Sequence, residues 1–204
     1  MRRSVMGSLV AGLALAASVT VAGTASAQQA TWTVTPGGTF DGVAGETILT
    51  IQETGIQLFC SSSTAGGTAK SGTGQTNPLA TIPETGGIAF NDCQGPFGLT
   101  FEVEQVGDWT LNGSSYDAAT GVTTGTIDGI TADIVGPSCN ATVTGSVNAS
   151  YTNGSATLAV SPDFTLEITY VDPNNSCLGL IGEGQHASFD GAYAITPALT
   201  VTSP

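Results

Sequence analysis

Three observations predict an all-β chain, an antiparallel β-sandwich or barrel stapled by disulfides: period-two alternation of apolar and polar residues, dense Gly- and Asx-based turn signals, and four cysteines without metal-ligand spacing. Alternation begins with Trp32 and Val34 against Thr31, Thr33 and Thr35. Leu99, Phe101 and Val103 repeat it against Thr100, Glu102 and Glu104. Trp109 and Leu111 follow, then Cys139, Ala141 and Val143, Leu158 and Val160, Phe164 to Tyr170, and Tyr193 with Ile195. Such runs, rich in Thr, Val, Ile and aromatics, place one face of a pleated strand inward. No amphipathic helix is read after residue 27. The Gly- and Ser-rich stretch from Ser61 to Asn77 alternates weakly and reads as a loop or poorly specified edge.

Turn punctuation is read at Pro36-Gly37-Gly38, Asp41-Gly42, Gly86-Gly87, Asn112-Gly113, Asp128-Gly129, Asn153-Gly154 and Asp190-Gly191. Asn-Gly and Asp-Gly supply the positive φ that tight hairpins need, so antiparallel pairing is expected.

Residues 1–27 have the form of a secretory signal peptide: Arg2-Arg3, an apolar stretch from Val5 to Ala17, and small residues ending Ala25-Ser26-Ala27. Cleavage is expected between Ala27 and Gln28, leaving residues 28–204 as a single all-β domain. No later segment approaches a membrane-spanning length. Lys70 is then the one cation against 16 acidic side chains, a net charge of −15. That field repels phosphate backbones and anionic lipid, so nucleic acid and electrostatic membrane docking are poor partners.

All four cysteines, Cys60, Cys93, Cys139 and Cys177, lie in the exported part, where an even count argues for two disulfides. Neither a C-x-x-C pair nor a second histidine is present to make a zinc or redox site. A glycine follows both Cys60 and Cys139 at the same six-residue offset (Gly66, Gly145), and Cys93 and Cys177 both sit in N-x-C-x-G-x-x-G. These half-repeats, about 56–101 and 135–185, fit an internal duplication, although glycine is abundant enough for coincidence to give the same pattern. A duplication in which each copy closes its own bridge pairs Cys60 with Cys93 and Cys139 with Cys177.

Catalytic chemistry has little to draw on. His186 is the single imidazole, and neither Ser188 nor Asp190 beside it lies in a nucleophile elbow. Carboxylate pairs remain, Glu102 with Glu104, Asp163 with Glu167 and Glu183 with Asp190, but nothing in the sequence sets the separation that acid catalysis requires. Asp172-Pro173-Asn174-Asn175 is the best loop for a calcium ion and reads better as an Asx turn. The C-x-G-x-x-G stretches lack the strand-to-helix context of a dinucleotide fingerprint. No cofactor, metal site or catalytic residue is expected. Most aromatics fall on inward strand positions. Tyr116, in Ser115-Tyr116-Asp117, is the least core-like and the first candidate for a surface contact.

The signal ending in Ala25-Ser26-Ala27, the opening Thr31-Trp32-Thr33-Val34, the segment from Ser115 to Gly125 and the cysteine–glycine stretches resemble uncharacterised small exported proteins of actinobacteria. That resemblance implies export and carries no catalytic position. The neocarzinostatin-like apoproteins are similar in composition alone. The expectation is a secreted, noncatalytic extracellular or envelope-associated binding or structural module with an unknown extracellular ligand. The alternatives are a carboxylate-dependent secreted hydrolase active at acidic pH and a self-associating surface-layer protein.

Overall fold

The computed structural model describes residues 30–204, so the expected signal peptide lies outside the described residues. The strands are, in order, β1 (Trp32–Thr35), β2 (Gly38–Ala44), β3 (Thr47–Ile51), β4 (Gln57–Ala69), β5 (Gly72–Gln75), β6 (Ala80–Ile82), β7 (Ile88–Gln94), β8 (Thr100–Gln105) and β9 (Trp109–Asp117). There follow β10 (Val122–Gly136), β11 (Cys139–Thr152), β12 (Thr157–Val160), β13 (Leu166–Ser176), β14 (His186–Thr196) and β15 (Thr200–Thr202). The helical elements among the described residues are two single 3-10 turns, Pro96–Gly98 and Cys177–Gly179.

Every strand pairing is antiparallel, and the hydrogen-bond ladder closes on itself. β2 and β3 pair with β4, β4 with β6 and β7, β6 with β9, and β7 with β8. β8 and β9 then pair with β10, β10 with β11, β11 with β12 and β13, and both of these with β14. β14 returns to β2 and β3. The result is a barrel of eight strand positions, several of them filled by two short strands end to end, with no exposed edge in the ring.

One pairing pattern occurs twice, over Gly38–Asp117 and over Val122–Thr196. In each, a long strand (β4 or β11) pairs at its cysteine end with a returning strand (β7 or β13) and at its far end with a short one (β6 or β12). A proline-containing interruption separates the short and returning strands, Pro83–Gly87 in one and Ser161–Thr165 in the other. The glycine six residues after the cysteine faces that interruption: a Cβ on Gly66 would lie 2.7 Å from the Gly86 carbonyl oxygen, and one on Gly145 2.8 Å from that of Thr165. The N-x-C-x-G-x-x-G stretches differ in the position of the turn: one 3-10 turn starts three residues after Cys93 and the other starts on Cys177 itself. Cys60 is bonded to Cys93 and Cys139 to Cys177.

Two expectations are corrected. Most of the stretch Ser61–Asn77 belongs to β4 and β5, and β4 is a central strand bonded on both sides. Its inward side chains are small, so its hydrophobic signal is weak: Ser63, Ala65 and Ala69 are buried, and the Ser63 hydroxyl bonds Tyr193. Asp41-Gly42, Asn112-Gly113, Asp128-Gly129 and Asp190-Gly191 lie inside strands instead of at turns. Their glycines make room for neighbours: the Trp32 ring covers Gly113, and Phe189 and Thr47 crowd Gly191. Asp128-Gly129 forms a bulge in β10.

β11 displays the sidedness of the barrel. Cys139, Ala141, Val143, Val147, Ala149 and Tyr151 are buried inside, while Asn140, Thr142, Thr144, Asn148 and Ser150 face out. An apolar interior with a polar exterior is the reverse of what a bilayer-spanning barrel requires. None of the described helices is long and apolar enough to cross a membrane.

A separate sheet ordered β15–β1–β5 covers one end of the barrel. Side chains act there as substitute strand neighbours. Tyr151 Oη donates to the Leu199 carbonyl at 2.9 Å and accepts from its N–H at 3.0 Å. Asn153 does the same for Val201, at 2.9 and 2.8 Å, and Asn77 for Gly113, at 2.8 and 2.9 Å. The opposite end carries both disulfides and the turns beside them.

Candidate functional site

The barrel interior is incompletely filled along its length. Beneath the lid sheet, Val34, Leu199 and Val201 meet Phe40, Ile127, Leu158 and Ile195 around a cavity of about 80 Å³. A second of about 30 Å³ shares Phe40, Ile127, Leu158 and Ile195 with the first. A third of about 60 Å³ shares Trp109, Ile130 and Phe189 with the second. No carboxylate, lysine or histidine lines any of the three. Inward positions are held by Ala, Val, Thr and Gly as often as by large side chains, and eight strand positions enclose more space than those fill.

Polar groups inside are few. Ser63 Oγ donates to Tyr193 Oη at 2.7 Å, and burial pushes the Tyr193 phenol up to about 12. Gln105 plugs the Pro83–Gly87 interruption: its Oε1 accepts from Ile88 N–H, and its Nε2 donates to the carbonyls of Ile82 and Gly107. Thr47 Oγ1, Trp109 Nε1 and Trp32 Nε1 are buried without a hydrogen-bond partner.

The disulfide end is the other distinctive region. Phe97 is 89% exposed and Leu178 is 59% exposed, the two most exposed large apolar side chains of the described residues. Both are held with positive φ, 62° at Phe97 and 56° at Leu178, a conformation rare for bulky residues. Each sits on the 3-10 turn beside its disulfide. Between the turns, Ile56, Leu99, Leu180 and Pro137 line a shallow apolar recess that includes Leu178. Exposed Glu53, Asp92, Glu102 and Glu183 lie on the flanking turns and strand ends. Lys70, the one Lys or Arg of the described residues, follows β4 at the lid end.

The sequence-nominated side chains are placed as follows. Tyr116 is half-buried on β9 and packs against the core, whereas Tyr170 is 47% exposed. His186 lies at the start of β14 with Nδ1 3.0 Å from Glu53 Oε1, and this hydrogen bond holds the Glu53 carboxyl below its usual range. Ser188 is buried and Asp190 exposed on the same strand. Glu102 and Glu104 project from the outer face of β8, opposite Val135 and Asp133. Asp163 is bonded by Asn148, and Glu183 accepts from Val171 N–H. Asp172, expected in an Asx turn, lies instead in an irregular part of β13, where it accepts from Asn174 N–H and Asn175 Nδ2, hydrogen bonds that hold its carboxyl low. Among the described residues no three His, Cys, Asp or Glu side chains converge as metal ligands.

Sequence reasoning missed Phe97 and Leu178, because a glycine-flanked turn gives no periodic signal. It placed Trp109 inward but had no way to see that its N–H would be unpaired. The chain matches no family model, no curated protein and no solved structure.

Proposed function

We propose that this chain is an exported, noncatalytic binding module that holds a cationic protein partner with its disulfide end. The observation that carries the reading is the pair of exposed apolar residues, Phe97 and Leu178, fixed in left-handed conformations on turns beside the disulfides. Such backbone costs roughly 1–3 kcal/mol per residue and persists only where the surroundings enforce it. Apolar tips on an end whose turns and strand ends also carry the exposed acids Glu53, Asp92, Glu102 and Glu183 suit a partner with basic groups around apolar recesses. The same acids repel a second copy of this chain. Two disulfides are consistent with an oxidising, extracellular setting. The hydrolase alternative draws no support from the cavities, since none carries a carboxylate.

The test uses two amphipathic peptides, one of Lys and Leu and one of Glu and Leu, titrated into the whole protein and into the double variant Phe97→Gly/Leu178→Gly. Glycine relieves the left-handed strain at an entropic cost of roughly 1 kcal/mol per residue, so the variant is expected to be at least as stable as the parent. The Lys/Leu peptide should bind the parent and lose at least tenfold in affinity with the variant. Equal binding to both proteins would reduce the interaction to net charge and overturn the reading. Concentration-dependent dimers in sedimentation that the variant abolishes would replace the partner with a second copy.

A further inference from the structure

The cavity of about 60 Å³ in the disulfide half of the barrel is lined by two residues, Thr47 and Trp109, whose buried polar atoms have no hydrogen-bond partner. Thr47 is 1% exposed and Trp109 6%, both line this cavity, and neither Thr47 Oγ1 nor Trp109 Nε1 has a hydrogen-bond partner. An indole N–H can only donate, and a threonine hydroxyl can donate or accept. Buried donors are rarely left unpaired, so an occupant that accepts from Trp109 answers a requirement that the surrounding Leu58, Ile130, Val143 and Leu166 cannot meet.

We propose that this cavity binds a small neutral molecule, mostly apolar and carrying one hydrogen-bond acceptor such as a carbonyl or ether oxygen, with the acceptor on Trp109 Nε1. Neutrality follows from the lining: no cation is present to hold an anion, and no carboxylate to hold a cation. An otherwise apolar wall with one or two placed polar groups is the usual make-up of a small-molecule site. Size is bounded as well. A cavity of roughly 150 Å³ accommodates benzene, so about 60 Å³ admits only a few heavy atoms until the space beyond Phe189 is joined to it. Phe189 lines both spaces and meets Phe90 edge-on, ring centroids 5.8 Å apart. Phe90 and Phe189, like Leu49 and Val103, are half-buried members of a wall that is otherwise buried. The site is separate from the disulfide-end surface, and its fate does not decide that reading.

The chain has two tryptophans, so an ¹⁵N-labelled sample gives two indole N–H resonances, assigned with Trp32→Phe. Matched probes small enough for the space are acetone, which carries an acceptor, and 2-methylpropene, which has the same shape without one. Acetone should move the Trp109 resonance downfield and saturably, and should bind about fivefold more tightly than 2-methylpropene, the fold-change one neutral hydrogen bond contributes. Trp109→Phe should erase that preference while leaving 2-methylpropene binding in place. If that variant does not fold, the two probes on the unaltered protein decide the matter alone. Equal affinities, no saturable shift, or a Trp109 resonance that exchanges magnetisation with water and ignores both probes would overturn the proposal.

Discussion

Tyr193 ties the packing of the interior to a measurable titration. Its phenol is buried against Ser63 and held to about 12, whereas an unfolded chain releases that proton near 10. Between those values the folded state binds more protons than the unfolded one. The contribution is therefore complete below pH 10 and is lost as pH rises towards 12, by about 2–3 kcal/mol. Burial raises Tyr151 in the same direction. Urea midpoints should accordingly fall steeply above pH 10, and Ser63→Ala/Tyr193→Phe should flatten that fall. An unchanged slope in the double variant would place the phenol in contact with water. This residue was legible as an inward position from period two, but Ser63 was not, since a serine in a Gly/Ser-rich stretch looks like loop. Phe97 failed in the opposite way: its sequence neighbourhood announces a turn, and nothing announces which way the ring points.

Among elements, the lid sheet depends on side chains where a strand would ordinarily be. Tyr151 and Asn153 hold Leu199 and Val201 by bonds in both directions. Tyr151→Phe leaves the Leu199 N–H and carbonyl unpaired in a buried setting, a loss of roughly 1–3 kcal/mol. Amide exchange at Leu199 and Val201 should accelerate at least tenfold, while Val143 and Ala141 on β11 keep their protection. Uniform acceleration across β11 would instead make the lid part of one cooperative unit with the barrel. None of this could be read from sequence, because Tyr151 and Leu199 are 48 residues apart. β11 itself was legible, since its alternation is uninterrupted. β4 was not legible beyond Cys60, because its later inward positions are Ser63, Ala65 and Ala69, whose burial comes from neighbours on both sides. Asx-Gly pairs misled for a related reason: glycine serves a hairpin and a covering aromatic ring equally well, and only the fold tells them apart.

For the molecule as a whole, the recurring pairing pattern closes the ring through two seams, β14 on β2 and β3, and β8 and β9 on β10. Each half also carries its own covalent loop, of sequence separation 33 and 38. The chain-entropy relation assigns each loop about 4 kcal/mol, so Cys60→Ala/Cys93→Ala should lower the unfolding free energy by up to that amount in denaturant titrations. The cysteine–glycine offset suggested half-repeats of about 56–101 and 135–185, whereas the recurring pairing pattern runs over Gly38–Asp117 and Val122–Thr196, and its seams were invisible in sequence because strand partners distant along the chain leave no local signal. Both the apolar tips and the interior cavities owe their positions to ring closure. The most direct test is therefore a search for cross-strand nuclear Overhauser contacts at both seams, between Ala194 and Val43 and between Val103 and Ile134. A closed ring predicts both sets in the same sample. Contacts at one seam and none at the other would describe an open sheet and contradict the account.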